Sequence, residues 1–196
     1  MKKLKHVLQP LRVKSMELPN RVVMPPMGTG LANPDHSVSD ATIAYITRRA
    51  RGGAGLVITE IVSVHPDGAG GPAVLGAWDD KFIPGMTRLA EAVHSVGNKV
   101  AMQFYHCGRE SPFQLARGTA VSASAIPSDV IDGTPRELTR DEIGDLVAGF
   151  GAAAARAKKA GFAAVDVHGA HGYLLCQFLS AHSNQRTDEY GGSLKD

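Results

Sequence analysis

The sequence predicts an α/β fold whose strands run parallel. Short apolar runs alternate with amphipathic stretches of helical period, and turns rich in glycine and proline separate them. The apolar runs show little polar alternation, which is typical of strands that are covered on both faces. Parallel strands need a crossover between them, and the amphipathic stretches are long enough to supply it.

The N-terminal region is predicted to form a small hairpin and then the first strand of the sheet. The hairpin comprises Leu11–Val13 and Ser15–Leu18, and the strand comprises Arg21–Met24. Pro25-Pro26 ends this strand, because proline has no backbone N–H to donate to a neighbouring strand.

The next two units each consist of a helix followed by a strand. Ser39 is a suitable N-cap for a helix over residues 40–51, which glycines 52 and 53 terminate, and Leu56–Glu60 is predicted to be a buried strand. The second helix has an apolar face made of Met86, Leu89, Ala90 and Val93. Lys99–His106 then forms the third strand, and the polar segment Arg109–Glu137 is long enough to be a binding loop or lid.

The third helix carries the clearest local signals. Thr139 and Glu142 have the spacing of a capping box, and Leu138 with Ile143 fits the hydrophobic staple around it. The apolar stripe of this helix consists of Ile143, Leu146, Val147 and Phe150. Its sequence therefore predicts a stable helix whose first turn is fixed by side chains.

Four strands and three connecting helices allow two architectures. Gly161 ends the third helix, and Ala163–Val167 is predicted to be the fourth strand. An open doubly wound nucleotide-binding sheet usually has a G-x-G-x-x-G turn after its first strand, whereas Met27–Asn33 contains only the first two of those glycines. We therefore expect the first four βα units of a (β/α)8 barrel, preceded by the hairpin.

The composition argues against several classes of function. The 196 residues include 21 basic and 19 acidic side chains, and a net charge of +2 gives no reason to expect nucleic acid or an anionic membrane as partner. No apolar run approaches the roughly 18 residues of a membrane span. The start, Met1–His6, is basic but lacks the apolar stretch of a signal peptide, so we expect a cytoplasmic protein. Cys107 and Cys176 are too few to hold a metal cluster and are expected to be small buried residues.

Each predicted strand ends in an unusual group of residues, and parallel strands bring these ends to one edge. The four groups begin at Pro25, Glu60, Gln103 and His168. In a barrel, functional residues collect at this edge. Imidazole N–H groups of His168 and His171 are suited to stabilise negative charge on a carbonyl oxygen, and Tyr173 is suited to deliver a proton.

Three motifs follow one another along the chain. The first is LPNRVVMPPM (Leu18–Met27), and the second is QFYHCGR (Gln103–Arg109). The third comprises HGAHGYL from His168, QFLS from Gln177 and NQRTDEYGGS from Asn184 to Ser193. Together they closely resemble the signature of the old yellow enzyme (NADH:flavin oxidoreductase) family. The resemblance extends from about Leu8 to the last residue.

The resemblance implies an FMN-dependent enzyme that takes hydride from NADH or NADPH and passes it through the flavin to an activated alkene, such as an enone or enoate. On this mapping His168 and His171 hold the carbonyl of the small-molecule substrate, and Tyr173 protonates its α-carbon. The residues implied to line the flavin are Pro25, Pro26, Met27, Gly28, Ile61 and Gln103. Gln103 would bind the pyrimidine side of the flavin.

The chain departs from the family pattern at two positions and in length. Gly28 stands where many relatives have cysteine or threonine beside the flavin, and Ile61 stands where they have a small residue. Residues 1–196 are expected to form the N-terminal part of one FMN-binding barrel, since a whole barrel needs about 250 residues and eight strands. Strands five to eight and the FMN phosphate site would then lie outside the chain, which would associate with itself or with the remainder of the barrel. An iron–sulfur cluster would belong only to a longer form.

Other interpretations of these residues stay open at this point. The chain can be a non-catalytic half-barrel that needs association, or a metal-dependent hydrolase. The ligands of the second alternative would be Glu60, His106, His168 and His171. His168, His171, Gln103 and Tyr173 can also be packed structural side chains. A charge network that holds loops is the favoured explanation for Arg109, Arg186, Asp188 and Tyr190.

Overall fold

The computed structural model describes residues 4–192. Two predicted features fall partly outside this range, namely the first residues of the basic start, Met1–Lys3, and the last residue of the third motif, Ser193. In the described part of the chain no helix has both the length and the apolar character needed to cross a membrane.

The elements follow the predicted order. They begin with the hairpin strands β1 (Leu11–Val13) and β2 (Met16–Leu18). The remaining elements are β3 (Val23–Met24), α1 (Asp40–Arg51), β4 (Leu56–Ser63), β5 (Leu75–Gly76), α2 (Ile83–His94), β6 (Lys99–Tyr105), α3 (Pro112–Ala116), β7 (Val121–Ser122), β8 (Arg136–Glu137), α4 (Arg140–Lys159), β9 (Ala164–Val167) and α5 (Leu174–Leu179).

The helices that connect the strands of the main sheet all lie on one face of it. Its parallel strands lie in the order β3, β4, β6 and β9, and β5 pairs with the end of β4. Helices α1, α2 and α4 pack beside one another on the same face of the sheet. A doubly wound sheet would place its helices on both faces, so this arrangement is the wall of a barrel, as predicted.

Two apolar clusters lie on opposite faces of this wall. The larger cluster lies between the sheet and the helices, and includes Ile46, Leu89 and Phe104. The smaller one lies on the inner face, where Leu18 of the hairpin packs with Leu56 and Ala101 of the sheet. The hairpin therefore covers the end of the inner face at which the strands begin, and leaves their carboxyl ends accessible.

The limits of two strands differ from the prediction. The first strand begins at Val23 rather than Arg21, because Asn20 accepts a hydrogen bond from the Val22 N–H (2.9 Å) and donates one to the Gly53 carbonyl (2.8 Å). The strand predicted to end at Glu60-Ile61, which is β4, continues to Ser63. Its pairing with β6 is interrupted between Ile58 and Ile61 and then resumes, as expected of a β-bulge.

The segment Arg109–Glu137 is less irregular than its composition suggests. It contains α3, which Ser111 caps by accepting a hydrogen bond from the Gln114 N–H (3.0 Å). It also contains β7 and β8, which pair parallel to each other. Short elements of this size carry too little periodicity to be identified from sequence.

The predicted capping box of α4 is confirmed. Thr139 Oγ1 accepts a hydrogen bond from the Glu142 N–H (3.2 Å), and Glu142 accepts one from the Thr139 N–H (2.8 Å). Hydrogen bonds from Arg136 and Thr139 lower the pKa of Glu142 to about 2. The four residues of the predicted apolar stripe all line one open apolar groove between α4 and α5, where Val147 is 66% exposed.

We expect Thr139→Ala to lower the free energy of unfolding by about 1 kcal/mol, because the helix loses an acceptor for an unpaired N–H of its first turn. Urea denaturation followed by circular dichroism measures the change. Thr134→Ala, at an exposed threonine of the preceding loop, is the matched control and is expected to leave the stability unchanged. Equal stabilities for the two variants would show that the cap contributes nothing.

Candidate functional site

A cleft of about 490 Å³ opens at the carboxyl ends of the strands. Of the predicted site residues, those that line it are Pro25, Pro26, Gly28, Ile61, Gln103, His168, His171 and Tyr173. Met27 does not line it, and its side chain is 56% exposed. The proline pair and Gly28 therefore form the wall at the end of β3 without the neighbouring methionine.

The register of the sheet fixes the floor of the cleft. Ile61 lies opposite Gln103, and Gln103 lies opposite Asp166 of β9. The Thr59 hydroxyl at the β-bulge accepts a hydrogen bond from the Gln103 N–H (3.2 Å), so the bulge holds the strand at this level. Just beyond this level, toward the carboxyl ends of the strands, the His168 N–H donates to the Phe104 carbonyl (2.9 Å).

Asp166 is a residue of the cleft that the sequence analysis missed. Its carboxylate accepts a hydrogen bond of 2.6 Å from Nε2 of the buried Gln103. This contact fixes which end of the amide is the donor and leaves Oε1 as the acceptor. A single acid within the apolar strand was the only sequence signal for it.

His168 and His171 contact each other across a tight turn. His168 is buried, and the exposed His171 has a φ of 56°, a left-handed conformation that is uncommon for residues other than glycine. Nδ1 of His171 lies 3.3 Å from Nε2 of His168, and the ring planes are nearly perpendicular at 86°. Gly172 continues the turn with a φ of 74°.

Hydrogen bonds determine the tautomers of this pair. Nδ1 of His168 accepts from the Ala170 N–H (3.2 Å), so a neutral His168 carries its proton on Nε2. That N–H points at Nδ1 of His171, which in turn places the proton of a neutral His171 on Nε2. Burial, and then the neighbouring His171, lowers the pKa of His168 below its usual 6.5, which keeps the ring neutral near pH 7.

Tyr173 follows this turn and closes one side of the cleft. Its ring packs edge-on against His168 at 5.0 Å and against Tyr105 at 5.1 Å between centroids. Burial raises the pKa of Tyr173 above its usual value of 10.0. The fully buried Tyr105 accepts a hydrogen bond from the Gly70 N–H (2.8 Å), and burial raises the pKa of its hydroxyl as well.

The other motif residues hold loops, as predicted. Gln177 packs so closely on Gly108 (φ 60°) that a Cβ at position 108 would overlap it, and thereby joins the second motif to the third. Arg186 donates to the carbonyls of Ala123 (3.0 Å) and Leu138 (2.6 Å). Its ion pair with Asp188 raises the pKa of the guanidinium, so the arginine remains charged.

His106 belongs to the packed interior rather than to the cleft. Its ring is 1% exposed, and Nδ1 accepts a hydrogen bond from the Gly108 N–H (3.1 Å). Burial, and then the nearby His65, lowers its pKa to about 3. Within residues 4–192 no three His, Cys, Asp or Glu side chains are grouped as metal ligands, so the hydrolase alternative gains no support. Of the two cysteines, which are free thiols, Cys107 is buried as expected and Cys176 only partly so.

Comparison with known proteins agrees with this arrangement. The profile of the NADH:flavin oxidoreductase / NADH oxidase family matches residues 6–196. NADH oxidase of Thermoanaerobacter brockii is 46% identical over 186 residues, which are 94% of this chain and 29% of that protein. NADPH dehydrogenase of Clostridium acetobutylicum is 40% identical over 190 residues, which are 97% of this chain and 56% of that protein.

Two solved structures have the same fold. Morphinone reductase superposes with a TM-score of 0.87 at 35% identity, over 95% of this chain and 54% of that one. A 2-naphthoyl-CoA reductase superposes with a TM-score of 0.92 at 27% identity, over 97% of this chain and 31% of that one.

The fold and the position of the cleft define the structural class, which is a partial (β/α)8 barrel with its cleft at the carboxyl ends of the strands. The chain belongs to the NADH:flavin oxidoreductase / NADH oxidase family, which confirms the resemblance stated above. It spans 29% and 56% of the lengths of the two relatives named here.

The buried His106 predicts a pH dependence of stability. Its pKa is about 3 in the folded chain and 6.5 in the unfolded chain, so only the unfolded chain binds a proton between these values. Stability should therefore fall as the pH falls from 6.5 toward 3, by up to about 1.4 kcal/mol per pH unit from this group. Urea denaturation at several pH values measures the slope.

We expect His106→Gln to remove this contribution, since glutamine can replace the acceptor but does not titrate. The variant should show a slope that is shallower by about 1 kcal/mol per pH unit between pH 6 and pH 4. Carboxylates contribute equally to both proteins and cancel in the comparison. Identical slopes would mean that His106 is protonated in the folded chain.

Proposed function

We propose that the chain is part of an FMN-dependent oxidoreductase that uses NADH or NADPH to reduce the C=C bond of an enone or enoate. The observation that carries this proposal is the convergence of Gln103, His168, His171 and Tyr173 on one cleft. Family membership supports the flavin, and a solved complex of morphinone reductase with tetrahydroNAD supports the nicotinamide.

The cleft fits the pyrimidine side of a flavin. Its volume of about 490 Å³ lies within the usual range for ligand sites, which is roughly 300–1,000 Å³. Oε1 of Gln103 is an acceptor suited to an imide N–H, and the second Nε2 hydrogen suits an adjacent carbonyl. A Cβ at Gly28 would meet nothing within 4 Å, so this wall leaves room for a flat ring. When bound, FMN supplies the two-electron chemistry, accepting hydride from the nicotinamide and giving it to the β-carbon of the alkene.

The histidine pair would bind the substrate carbonyl. A carbonyl oxygen can accept from Nε2–H of His171 and can also replace Nδ1 of His171 as the acceptor of Nε2–H of His168. Two imidazole N–H donors stabilise the negative charge that develops on this oxygen during reduction. The lowered pKa of His168 ensures that it acts as an N–H donor without carrying a full positive charge.

Tyr173 would deliver the proton to the α-carbon. The raised pKa keeps its hydroxyl protonated at neutral and moderately alkaline pH, as a general acid requires. Its contact with His168 holds it beside the carbonyl-binding pair. Deprotonation would end this role only above the usual tyrosine pKa of 10.0.

We also propose that residues 1–196 form one wall of a single FMN-binding barrel, to be completed by the remainder of the barrel or by a second copy. Exposed valines support this, since Val22 and Val23 lie at one edge of the sheet and Val165 and Val167 at the other. A parallel sheet normally has both faces covered. The cytoplasmic location stays a prediction. The alternative is a half-barrel that catalyses nothing, and the two experiments below, on FMN binding and on alkene reduction, distinguish it from the proposal.

Substitution of the amide should weaken flavin binding. We expect Gln103→Leu to raise the FMN dissociation constant about tenfold, because a buried imide loses its partners, and Asp166→Asn to raise it less. Quenching of FMN fluorescence on titration with the chain measures the constant. Gln185→Leu, at an exposed glutamine outside the cleft, is the control. Equal affinities for all variants would contradict the assignment of Gln103.

Removal of the Tyr173 hydroxyl should slow only the reduction of the alkene by the reduced flavin. In Tyr173→Phe, the reduction of cyclohex-2-enone by reduced flavin should slow by about 10²–10⁴-fold, whereas flavin reduction by NADPH should be unchanged. Stopped-flow absorbance of the flavin separates the two steps. Tyr190→Phe, which removes the same hydroxyl outside the cleft, should leave both rates unchanged. A Tyr173 variant with normal alkene reduction would refute its role as the acid.

A further inference from the structure

Asp166 places a single carboxylate in the wall of the cleft. The lining residues that the structure describes include this acid but no lysine or arginine. Asp166 is half-buried, and it lies on the same face of the sheet as Gln103 because the two residues are paired across β6 and β9. The cleft therefore has one fixed negative charge that no cation of its own lining balances.

This charge lies directly behind the amide that is proposed to contact the flavin. The carboxylate accepts a hydrogen bond of 2.6 Å from Nε2 of Gln103. None of the ion pairs among residues 4–192 includes Asp166. A group that is bonded to the amide on its other side is thus one hydrogen bond away from an uncompensated carboxylate.

The other carboxylates of this region are arranged differently. Glu60 and Glu110 line a cavity that adjoins the cleft, and they do not line the cleft itself. Glu60 accepts from the N–H and hydroxyl of Thr29 (2.9 and 2.6 Å), and Glu110 accepts from Arg109 (3.2 Å). Neither is bonded to the amide of the cleft, so Asp166 is the acid whose charge acts most directly on a ring held there.

Reduction changes the charge of a flavin on its pyrimidine side. A hydride brings two electrons and one hydrogen to N5, and the ring thereby gains one negative charge. That charge is shared between N1 and the neighbouring carbonyl oxygen of the pyrimidine ring. A nearby carboxylate repels it, and the repulsion is stronger in a partly buried cleft than in water. The oxidised ring is neutral and is not repelled in this way.

We propose that Asp166 positions the Gln103 amide and makes the bound flavin a stronger hydride donor. By accepting from Nε2, it keeps Oε1 of the amide directed toward the imide N–H of the flavin. By its charge, it destabilises the reduced flavin relative to the oxidised one and so lowers the midpoint potential. The proposal rests on the reductase function proposed above and adds a residue that sets its driving force.

The midpoint potential of FMN bound to the chain tests the role of the charge. It is measured near neutral pH by equilibration with a reference dye during slow enzymatic reduction. Asp166→Asn removes the charge and keeps the shape of the side chain, whereas Asp166→Glu restores the charge. Asp141→Asn changes the net charge by the same amount at an exposed position of α4, and it is the matched control.

We expect Asp166→Asn to raise the affinity for reduced FMN relative to oxidised FMN about tenfold, which corresponds to a rise of about 30 mV for a two-electron couple. Asp166→Glu and Asp141→Asn should keep the original potential. Stopped-flow absorbance should show faster flavin reduction by NADPH and slower alkene reduction in Asp166→Asn. General damage to the cleft would instead slow both steps.

The positioning role has a readout that needs no FMN. In the 15N-labelled chain, one Nε2 hydrogen of Gln103 is bonded to the carboxylate, so its NMR signal should lie downfield and exchange slowly with water. Asp166→Ala should abolish both properties, and Asp141→Asn should preserve them. Circular dichroism of each variant confirms that it is folded.

Two results would overturn the proposal while the reductase function stands. One is an unchanged or lowered potential in Asp166→Asn, or an equal rise in Asp141→Asn, with FMN bound and cyclohex-2-enone reduced. The other is a Gln103 amide signal that does not respond to Asp166→Ala. Failure of every variant and of the original chain to bind FMN would instead refute the reductase function, and the proposal with it.

Discussion

The parallel register of β4, β6 and β9 is the constraint on which the site depends. It places Ile61, Gln103 and Asp166 at one level and brings His168 just beyond them. A shift of one residue in β9 would turn Asp166 to the opposite face, because side chains alternate along a strand. The β-bulge before Ile61 and the Thr59 hydroxyl that holds Gln103 are therefore part of the construction of the cleft.

The long motifs of the sequence contribute more to this construction than to chemistry. Asn20 fixes the start of β3, Gln177 joins two motifs through its contact with Gly108, and Arg186 holds loop carbonyls together. The contacts of Gln177 and Arg186 are buried or half-buried, whereas that of Asn20 is exposed. All three are polar and help to specify the arrangement of the loops. The residues that face the cleft are correspondingly few, and they depend on this framework for their positions.

The sequence was sufficient for the order of elements and for most of the cleft. Apolar runs and helix caps are local signals, and they identified every long helix and the four main strands. The extension of β4 to Ser63 was not predictable, because a bulge has no periodic signal. Asp166 was missed for a related reason. Its partner Gln103 lies in another strand, and a contact between distant segments leaves no local pattern.

The family motifs predicted which residues belong to the site, whereas the tautomers of the histidines could be assigned only from the structure. That His168 and His171 belong together followed from the sequence, whereas the tautomers depend on a backbone N–H at Ala170 and on a φ of 56° at His171. Met27 was grouped with its neighbours in the motif, but its side chain points away from the cleft. Adjacency in a motif therefore did not decide which side chains reach the site.

The carboxylates around the cleft and its neighbouring cavity are all hydrogen-bonded to other groups of the chain. Asp166 is held by Gln103, Glu60 by Thr29 and Glu110 by Arg109. The groups placed to contact a substrate are a pair of imidazoles and a phenol. Burial lowers the pKa of His168 and raises that of Tyr173, which keeps these two groups in their neutral, proton-bearing forms. Neutral donors stabilise a developing oxyanion without binding an anionic ground state strongly, and differential stabilisation of this kind accelerates a reaction.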